Sequence, residues 1–420
     1  MSNLTGLLGI VVLLGIAWLV SEKRASIPWQ TVAVGLGLQL ALAIFVLWVP
    51  AGRVVFETLG NGFVTLIGYT QAGSSFLFGD LANAENFGFV FAFQVLPTII
   101  FFASLMACLY HLGLMQRIVE WMAFVMARLM KVSGSESLAT AANVFVGQTE
   151  APLVVRPFIS GMTRSELFAL MTGGMATIAG GVLAAYVLLL GGTDTETQAF
   201  FAKHLISASI MAAPAALLVA KMIMPESEPS ETMGLVRTTV EREHSNLIEA
   251  AAGGAGEGLK LALNVGAMLL AFLALIALVN GPLTWLGSIS GLESVVGQPI
   301  DLALILGWVF SPLAFLVGVP LNEAVTVGGL IGQKVVANEF VAYVALTEIQ
   351  LDLSERSVLI ATYALCGFAN FSSIAIQLGG IGSLAPERRS EIAQLGLKAI
   401  LGGTIVSLLN AAWAGLLVWH

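Results

Sequence analysis

The sequence predicts an all-α polytopic membrane protein, with about eight transmembrane helices, two re-entrant helical hairpins in an inverted repeat, and further helices at the interface. Three observations predict it. Hydrophobic residues make up 57% of the 420 positions and charged residues only 10%, far below the roughly 25% charge of a soluble domain. Apolar stretches of about twenty residues, enough to cross the hydrocarbon layer, recur along the whole chain. Two apolar segments with polar centres stand at corresponding places in the two halves, each followed by an interrupted span, which is the pattern of an inverted-repeat transporter.

The spans are expected at roughly 3–20, 30–50, 90–112, 163–190, 200–222, 259–281, 355–380 and 393–418. Leu4 to Val20 reads as a retained span rather than a signal peptide. No basic residue precedes it, and Ser21-Glu22-Lys23-Arg24 stands where a small-residue cleavage site is expected. Basic residues follow the odd-numbered spans: Lys23 and Arg24, then Arg117, Arg128 and Lys131, then Lys221, Arg237 and Arg242, then Arg388 and Arg389. The positive-inside bias makes those loops cytoplasmic and both termini periplasmic. Arg53, Lys334 and Arg356 fall on the other side, so the bias is not complete.

Segments 132–158 and about 302–333 begin and end on one side each and are read as the hairpins, since irregular backbone at membrane depth must be buried in protein or line a cavity. The first contains Val146-Gly147-Gln148-Thr149-Glu150-Ala151-Pro152. The second contains Val317-Gly318-Val319-Pro320-Leu321-Asn322-Glu323-Ala324. The following spans are broken by Gly173-Gly174 and Gly180-Gly181, and by Gly367-Phe368-Ala369-Asn370. Phe56–Leu77, Met115–Met130 and Val335–Leu353 are read as interfacial, and Pro225–Glu249 as a cytoplasmic connection.

Composition also excludes functions. Basic runs with interleaved aromatics are absent, which speaks against nucleic acid as a partner. The four histidines are scattered and Cys108 and Cys366 lie apart in apolar segments, so neither a metal spacing nor a nucleophile–base pair is present, and an enzyme is not expected.

Ionisable groups within the membrane carry the functional expectation. Glu150 and Glu323 are the two, against the alternative that each only pairs with an arginine such as Arg156. Gln148, Thr149, Asn322, Asn370 and Ser373 stand near them in the chain. Each alone can serve as interhelical glue, worth about 0.6–2 kcal/mol. Together, amides, hydroxyls and carboxylates with no lysine or arginine fit a neutral, polyhydroxylated solute, and a carboxylate such as Glu323 suits a sugar hydroxyl. Asn143 and Thr177 either cap and brace their helices or coordinate sodium beside the broken span.

Three blocks carry a family resemblance: Asn143 to Pro157, Gly318 to Ala324, and Cys366 to Ala375. They resemble the signature motifs of the concentrative nucleoside transporters, most closely the bacterial sodium-coupled uridine transporters. The resemblance implies import of nucleosides with Na+ across the bacterial inner membrane by an elevator-type movement, in a homotrimer. It implies a mainly scaffold part at 1–130, the first half of the transport part at 131–222, a connection at 223–258, scaffold span six at 259–285, and the second half of the transport part at 300–420. By residue it implies Gln148, Thr149 and Glu150 near the base, Val182 and Phe368 packed on it, and Glu323, Asn370 and Ser373 on the ribose. It implies sodium at Asn143, Val146, Thr177 and Ile178. Thr177 replaces a serine and keeps its oxygen; Leu321 replaces a larger aromatic. Proton coupling on the same fold, a channel, and an intramembrane enzyme are the alternatives.

Overall fold

The computed structural model describes residues 2–234 and 244–417. Arg237, Arg242 and His420, and much of the expected cytoplasmic connection, lie outside the described residues. Among the described residues regular structure is helical, apart from one isolated bridge between Ser133 and Met233.

The first half runs α1 (Ser2–Leu19), α2 (Trp29–Leu47), α3 (Pro50–Phe78), the single turns α4 (Ala84–Phe87) and α5 (Phe91–Gln94), α6 (Leu96–His111) and α7 (Leu114–Met130). Then come α8 (Gly134–Asn143), the one-turn α9 (Ala151–Val154), α10 (Arg164–Ala176), α11 (Gly180–Gly191) and α12 (Thr195–Ile223). The second half runs α13 (Leu247–Ser290), the short α14 (Leu292–Val296), α15 (Leu302–Leu316), α16 (Ala324–Val336), α17 (Glu339–Ile349), α18 (Glu355–Leu365), α19 (Phe371–Leu384) and α20 (Arg389–Leu417).

Among the described residues six stretches are long and apolar enough to cross a membrane: 29–47, 91–111, 164–191, 195–223, 247–290 and 386–417. The expected span at 3–20 is α1, and that at 355–380 is split into α18 and α19. Expected span six is the middle of the 44-residue α13, about 66 Å long at 1.5 Å per residue. The chain therefore leaves the polar connection already helical, capped by Asn246, whose side chain accepts from the Glu249 N–H. Segment 56–77 belongs to α3, which packs on α12: a Cβ at Gly60 would stand 3.0 Å from the Ala199 carbonyl, and Lys203 pairs with Glu57 at 3.2 Å.

The repeat is visible in the helices. α12 and α20 each have 29 residues. Before each comes a broken pair, α10/α11 and α18/α19, and before each pair an N-cap, Thr163 or Ser354, that accepts from the backbone three residues on. Glu150 precedes the first break by the same distance as Glu339 precedes the second (150 to 177, 339 to 366). The arm equivalent to α8–α9 is thus α16–α17, not the segment 302–333. α15 and α16 do lie side by side, with Gly307, Gly328, Gly329 and Gly332 letting the backbones close, but the counterpart of the first hairpin tip is Ala337-Asn338-Glu339. The reading of 335–353 as interfacial fails for a local reason. Asn338 caps α17, accepting from the Val341 N–H at 2.9 Å, and turns the chain back into the protein, where Phe340, Val341, Ala342 and Tyr343 are buried.

Small residues set the packing, as expected where helices gain little from hydrophobic exclusion. A Cβ at Gly254 or Gly258 would meet α6 at Ala103 and Ser104, or at Ile100 and Ala103. α13 is otherwise the least buried long helix, and its outer face shows Leu259, Leu263, Leu270 and Trp285. α1 packs on α20 and α15, and α2 on α12, whereas α10, α12 and α20 are almost wholly enclosed.

Charged side chains cluster at the ends of α1, α10, α12 and α20. Glu22 takes Lys398 at 2.6 Å and Arg164 at 3.5 Å. Partial burial pushes its carboxyl up, but those two cations hold it below the usual carboxylate range. Deeper at the same end, Lys221 bridges Glu136 at 2.8 Å and Glu226 at 3.3 Å. Around them Ser133 and Thr163 form reciprocal capping boxes with Glu136 and Glu166.

Candidate substrate and sodium site

The two breaks meet. At Gly367, where φ is +126°, a Cβ would stand 2.9 Å from the Ala176 carbonyl at the end of α10, so only glycine permits this approach. Polar groups from both halves line the junction. Gln148 at the first hairpin tip donates to Ser373 Oγ at 3.0 Å, and Gln377 donates to Gln148 Oε1 at 3.1 Å and to the Met171 carbonyl at 2.9 Å. Asn370 caps α19, its Oδ1 accepting from the Ser373 N–H at 2.9 Å. Its Nδ2 donates to Glu339 Oε2 at 2.9 Å, while Tyr186 donates to Oε1 at 2.9 Å. One network therefore runs from α19 through the first tip, back to the second break, and on to the second tip and α11.

Gln148, Asn370 and Ser373 are brought together as expected from the sequence, and all three are buried. Thr149 and Glu150 are exposed at the tip beside them. No ion pair joins Glu150 to Arg156 among the described residues, so the arginine-pairing alternative for Glu150 finds no support. Val182 is buried one helical turn before Tyr186, and Phe368 is half-buried in the second break.

Glu323 is placed elsewhere. Its carboxylate accepts from the Ser354 N–H at 3.2 Å and from Ser354 Oγ at 2.8 Å, at the N-terminus of α18. Asn370 lies past the other end of that 11-residue helix, about 16 Å along its axis. A carboxylate at a helix N-terminus is well explained as a cap. Glu323→Gln is accordingly expected to keep nucleoside affinity within about twofold and to lower stability by about 1 kcal/mol, measurable by calorimetry and thermal unfolding of the purified variant.

Sequence reasoning missed Glu339, Tyr186 and Gln377. Two signals were present for Glu339: its equal spacing to the following break, and Asn338, which caps the start of α17.

Of the residues expected to hold sodium, Asn143 and Thr177 both lie against Gly173. Asn143 ends α8, and both its Oδ1 and Nδ2 are buried without a partner. Thr140 Oγ1, one turn earlier, is likewise unpartnered. Gly173 leaves the space: a Cβ there would lie 3.3 Å from Thr140 Oγ1 and 3.5 Å from Asn143 Nδ2. Thr177 is extended and its hydroxyl donates to the Gly173 carbonyl at 3.0 Å, leaving its lone pairs free to accept a cation. Ile178 is buried in the same break, and Val146 stands at the tip opposite. A buried amide oxygen without a donor costs about 1–3 kcal/mol, a cost that an oxygen-seeking cation removes, so the donors fit sodium.

Three family models cover the chain: Na+ dependent nucleoside transporter N-terminus at residues 8–81, Nucleoside recognition at 92–193, and Na+ dependent nucleoside transporter C-terminus at 204–415. The chain belongs to the Na+-dependent nucleoside transporter family. It is 50% identical to the uncharacterized transporter YutK of Bacillus subtilis, with both chains covered in full. It is 42% identical to the nucleoside permease NupC of Helicobacter pylori, over 99% of this chain and 98% of that one. With the sodium/nucleoside cotransporter 1 of Rattus norvegicus it shares 43% identity over 99% of its own length and 64% of the relative's. Its structure matches that of CNTnw in an inward-facing substrate-bound state with a TM-score of 0.90 and 45% identity, over 99% of both chains. It also matches CNTnw intermediate and outward-facing states at 0.90–0.91. The family is one of transporters, not enzymes, and sodium is its coupling ion.

Proposed function

We propose that the chain imports uridine-like nucleosides with sodium across the bacterial inner membrane, at the junction of the two breaks. The observation that carries this reading is the network Gln377–Gln148–Ser373–Asn370–Glu339–Tyr186, which joins both halves around neutral hydrogen-bonding groups and a carboxylate. Gln148, Thr149 and Glu150 would approach the base, and Val182 and Phe368 would pack on its faces. Asn370, Ser373 and Glu339, rather than Glu323, would take the ribose hydroxyls. Sodium would sit with Asn143, Val146, Thr177 and Ile178, sharing the first hairpin tip with the nucleoside.

That shared tip explains coupling physically. A cation that orders the segment from Asn143 to Gln148 also orders part of the nucleoside site, so each ligand strengthens the other. One sodium moved with a neutral solute carries one charge, worth about 2.3 kcal/mol per 100 mV. A tenfold sodium gradient adds about 1.4 kcal/mol. Together they support accumulation on the order of several hundredfold.

We infer an elevator-type movement from CNTnw, whose solved states are inward-facing, intermediate and outward-facing. α6 with α13 would form the static scaffold, and the exposed apolar face of α13 is the surface for neighbouring copies in a homotrimer. The basic end around Glu22, Arg164 and Lys398 would be cytoplasmic, with both termini periplasmic.

Uptake of labelled uridine into proteoliposomes tests the reading. Expected is saturable uptake that collapses when external sodium is replaced by choline at fixed pH and that unlabelled nucleosides compete away. Uptake unchanged in choline would point to proton coupling; uptake linear in concentration would point to a channel.

A further inference from the structure

Lys334 lies in the last turn of α16 and is only 1% exposed. Among the described residues no ion pair holds it. Its ammonium instead donates to the Ala364 carbonyl at 2.9 Å and to Ser407 Oγ at 3.0 Å, and Ser407 in turn donates to the Cys366 carbonyl at 2.8 Å. The nearby carboxylate of Glu339 is engaged by Tyr186 and Asn370. A buried positive charge surrounded by carbonyl and hydroxyl oxygens has the surroundings of an alkali cation rather than of an ion-pair partner. Those carbonyls belong to the open C-terminal end of α18, the negative end of its dipole.

The place has a counterpart. In the first half, the last turn of α10 meets Asn143 from α8: a Cβ at Gly173 would stand 3.5 Å from Asn143 Nδ2, and the Gly173 carbonyl takes the Thr177 hydroxyl. In the second half, the C-terminal end of α18 at Ala364 and Cys366 faces Lys334 from α16, the repeat equivalent of α8. The first cage has polar atoms without partners; the second is filled by a side chain.

We propose that Lys334 is a resident cation that fills the second-half counterpart of the sodium site, so that each nucleoside is coupled to one sodium ion and not two. This rests on reading Asn143 and Thr177 as the sodium site. A single free cation site gives a hyperbolic sodium dependence and one charge moved per neutral nucleoside. Emptying the second cage with Lys334→Ala leaves the carbonyl end of α18 and Ser407 without their cation. A second sodium is then needed.

The test uses the full chain in proteoliposomes, with sodium activation of uridine uptake and charge per uridine as readouts, for wild type, Asn143→Ala and Lys334→Ala. Lys334→Ala is expected to turn the hyperbolic curve sigmoidal, raise half-saturating sodium by about tenfold, and double the charge moved. A hyperbolic curve with one charge per uridine in Lys334→Ala, beside a weakened sodium response in Asn143→Ala, overturns the Lys334 inference alone. An unchanged sodium response in Asn143→Ala overturns the first-half reading and this inference with it. If Lys334→Ala is too unstable for uptake, it is purified in sodium or in choline. Monodisperse protein in sodium only supports the proposal, and the same behaviour in both salts overturns it.

Discussion

Glu339→Gln is expected to weaken uridine binding by about tenfold to a hundredfold, while the same substitution at Glu323 leaves it nearly unchanged. The carboxylate of Glu339 accepts from two donors that approach from opposite elements, Tyr186 on α11 and Asn370 in the second break. An amide of equal size carries no charge and has one acceptor oxygen where the carboxylate has two, so it keeps Asn370 or Tyr186 as a donor but loses both charge-assisted bonds. Hydrogen bonds to a charged group are worth about 1.5–3 kcal/mol, and a buried polar atom left unpaired costs a similar amount. Asn370 also holds the first turn of α19 through Ser373, so the loss spreads to Gln148 on the other half. Calorimetry of uridine binding to the three proteins decides the matter. Equal losses at Glu323 and Glu339, or a loss at Glu323 alone, would return the ribose to the position expected from sequence.

The second large effect lies away from the site. Lys221→Met is expected to lower stability by about 3–5 kcal/mol, because it strands Glu136, 1% exposed, in a closed pocket with its Oε2 facing no other cation. The double variant Lys221→Met with Glu136→Gln is expected to recover most of the loss, since no unpaired charge remains. Thermal unfolding in detergent gives the comparison. A single variant within about 1 kcal/mol of wild type would show that water or lipid headgroups reach the pair. Glu136 caps the first hairpin helix, while Lys221 ends α12 and also holds Ser165 at 2.9 Å in α10. The cluster thus fixes the base of the element whose tip carries Asn143 and Gln148.

What sequence made legible follows the physics of each segment. Long apolar runs are a local property, and they marked spans 30–50, 163–190 and 200–222. The first hairpin was legible because its polar tip interrupts an apolar run, and Gln148, Asn370 and Ser373 do converge. The second was misplaced because Pro320-Leu321-Asn322-Glu323 looks like a tip from composition alone, while its carboxylate is taken by Ser354, the N-cap of α18. Glu339 sits in a segment whose alternating polarity resembles a surface helix, and only the cap at Asn338 and the fold of α17 against α11 bury it. Lys334 was read as a base on the wrong side of the membrane. Its partners, Ala364 and Ser407, come from distant helices, so no local pattern announces them.

Sodium and nucleoside are proposed to share the first hairpin tip at the junction of the two breaks. Titrating uridine into the purified protein at rising sodium, with ionic strength held by choline, tests this sharing most directly. Uridine Kd is expected to fall steadily as sodium rises, and Asn143→Ala to flatten this dependence, with its Kd staying near the wild-type value without sodium. A uridine Kd that ignores sodium in the wild-type protein, or an Asn143→Ala protein with the full sodium dependence, would contradict it.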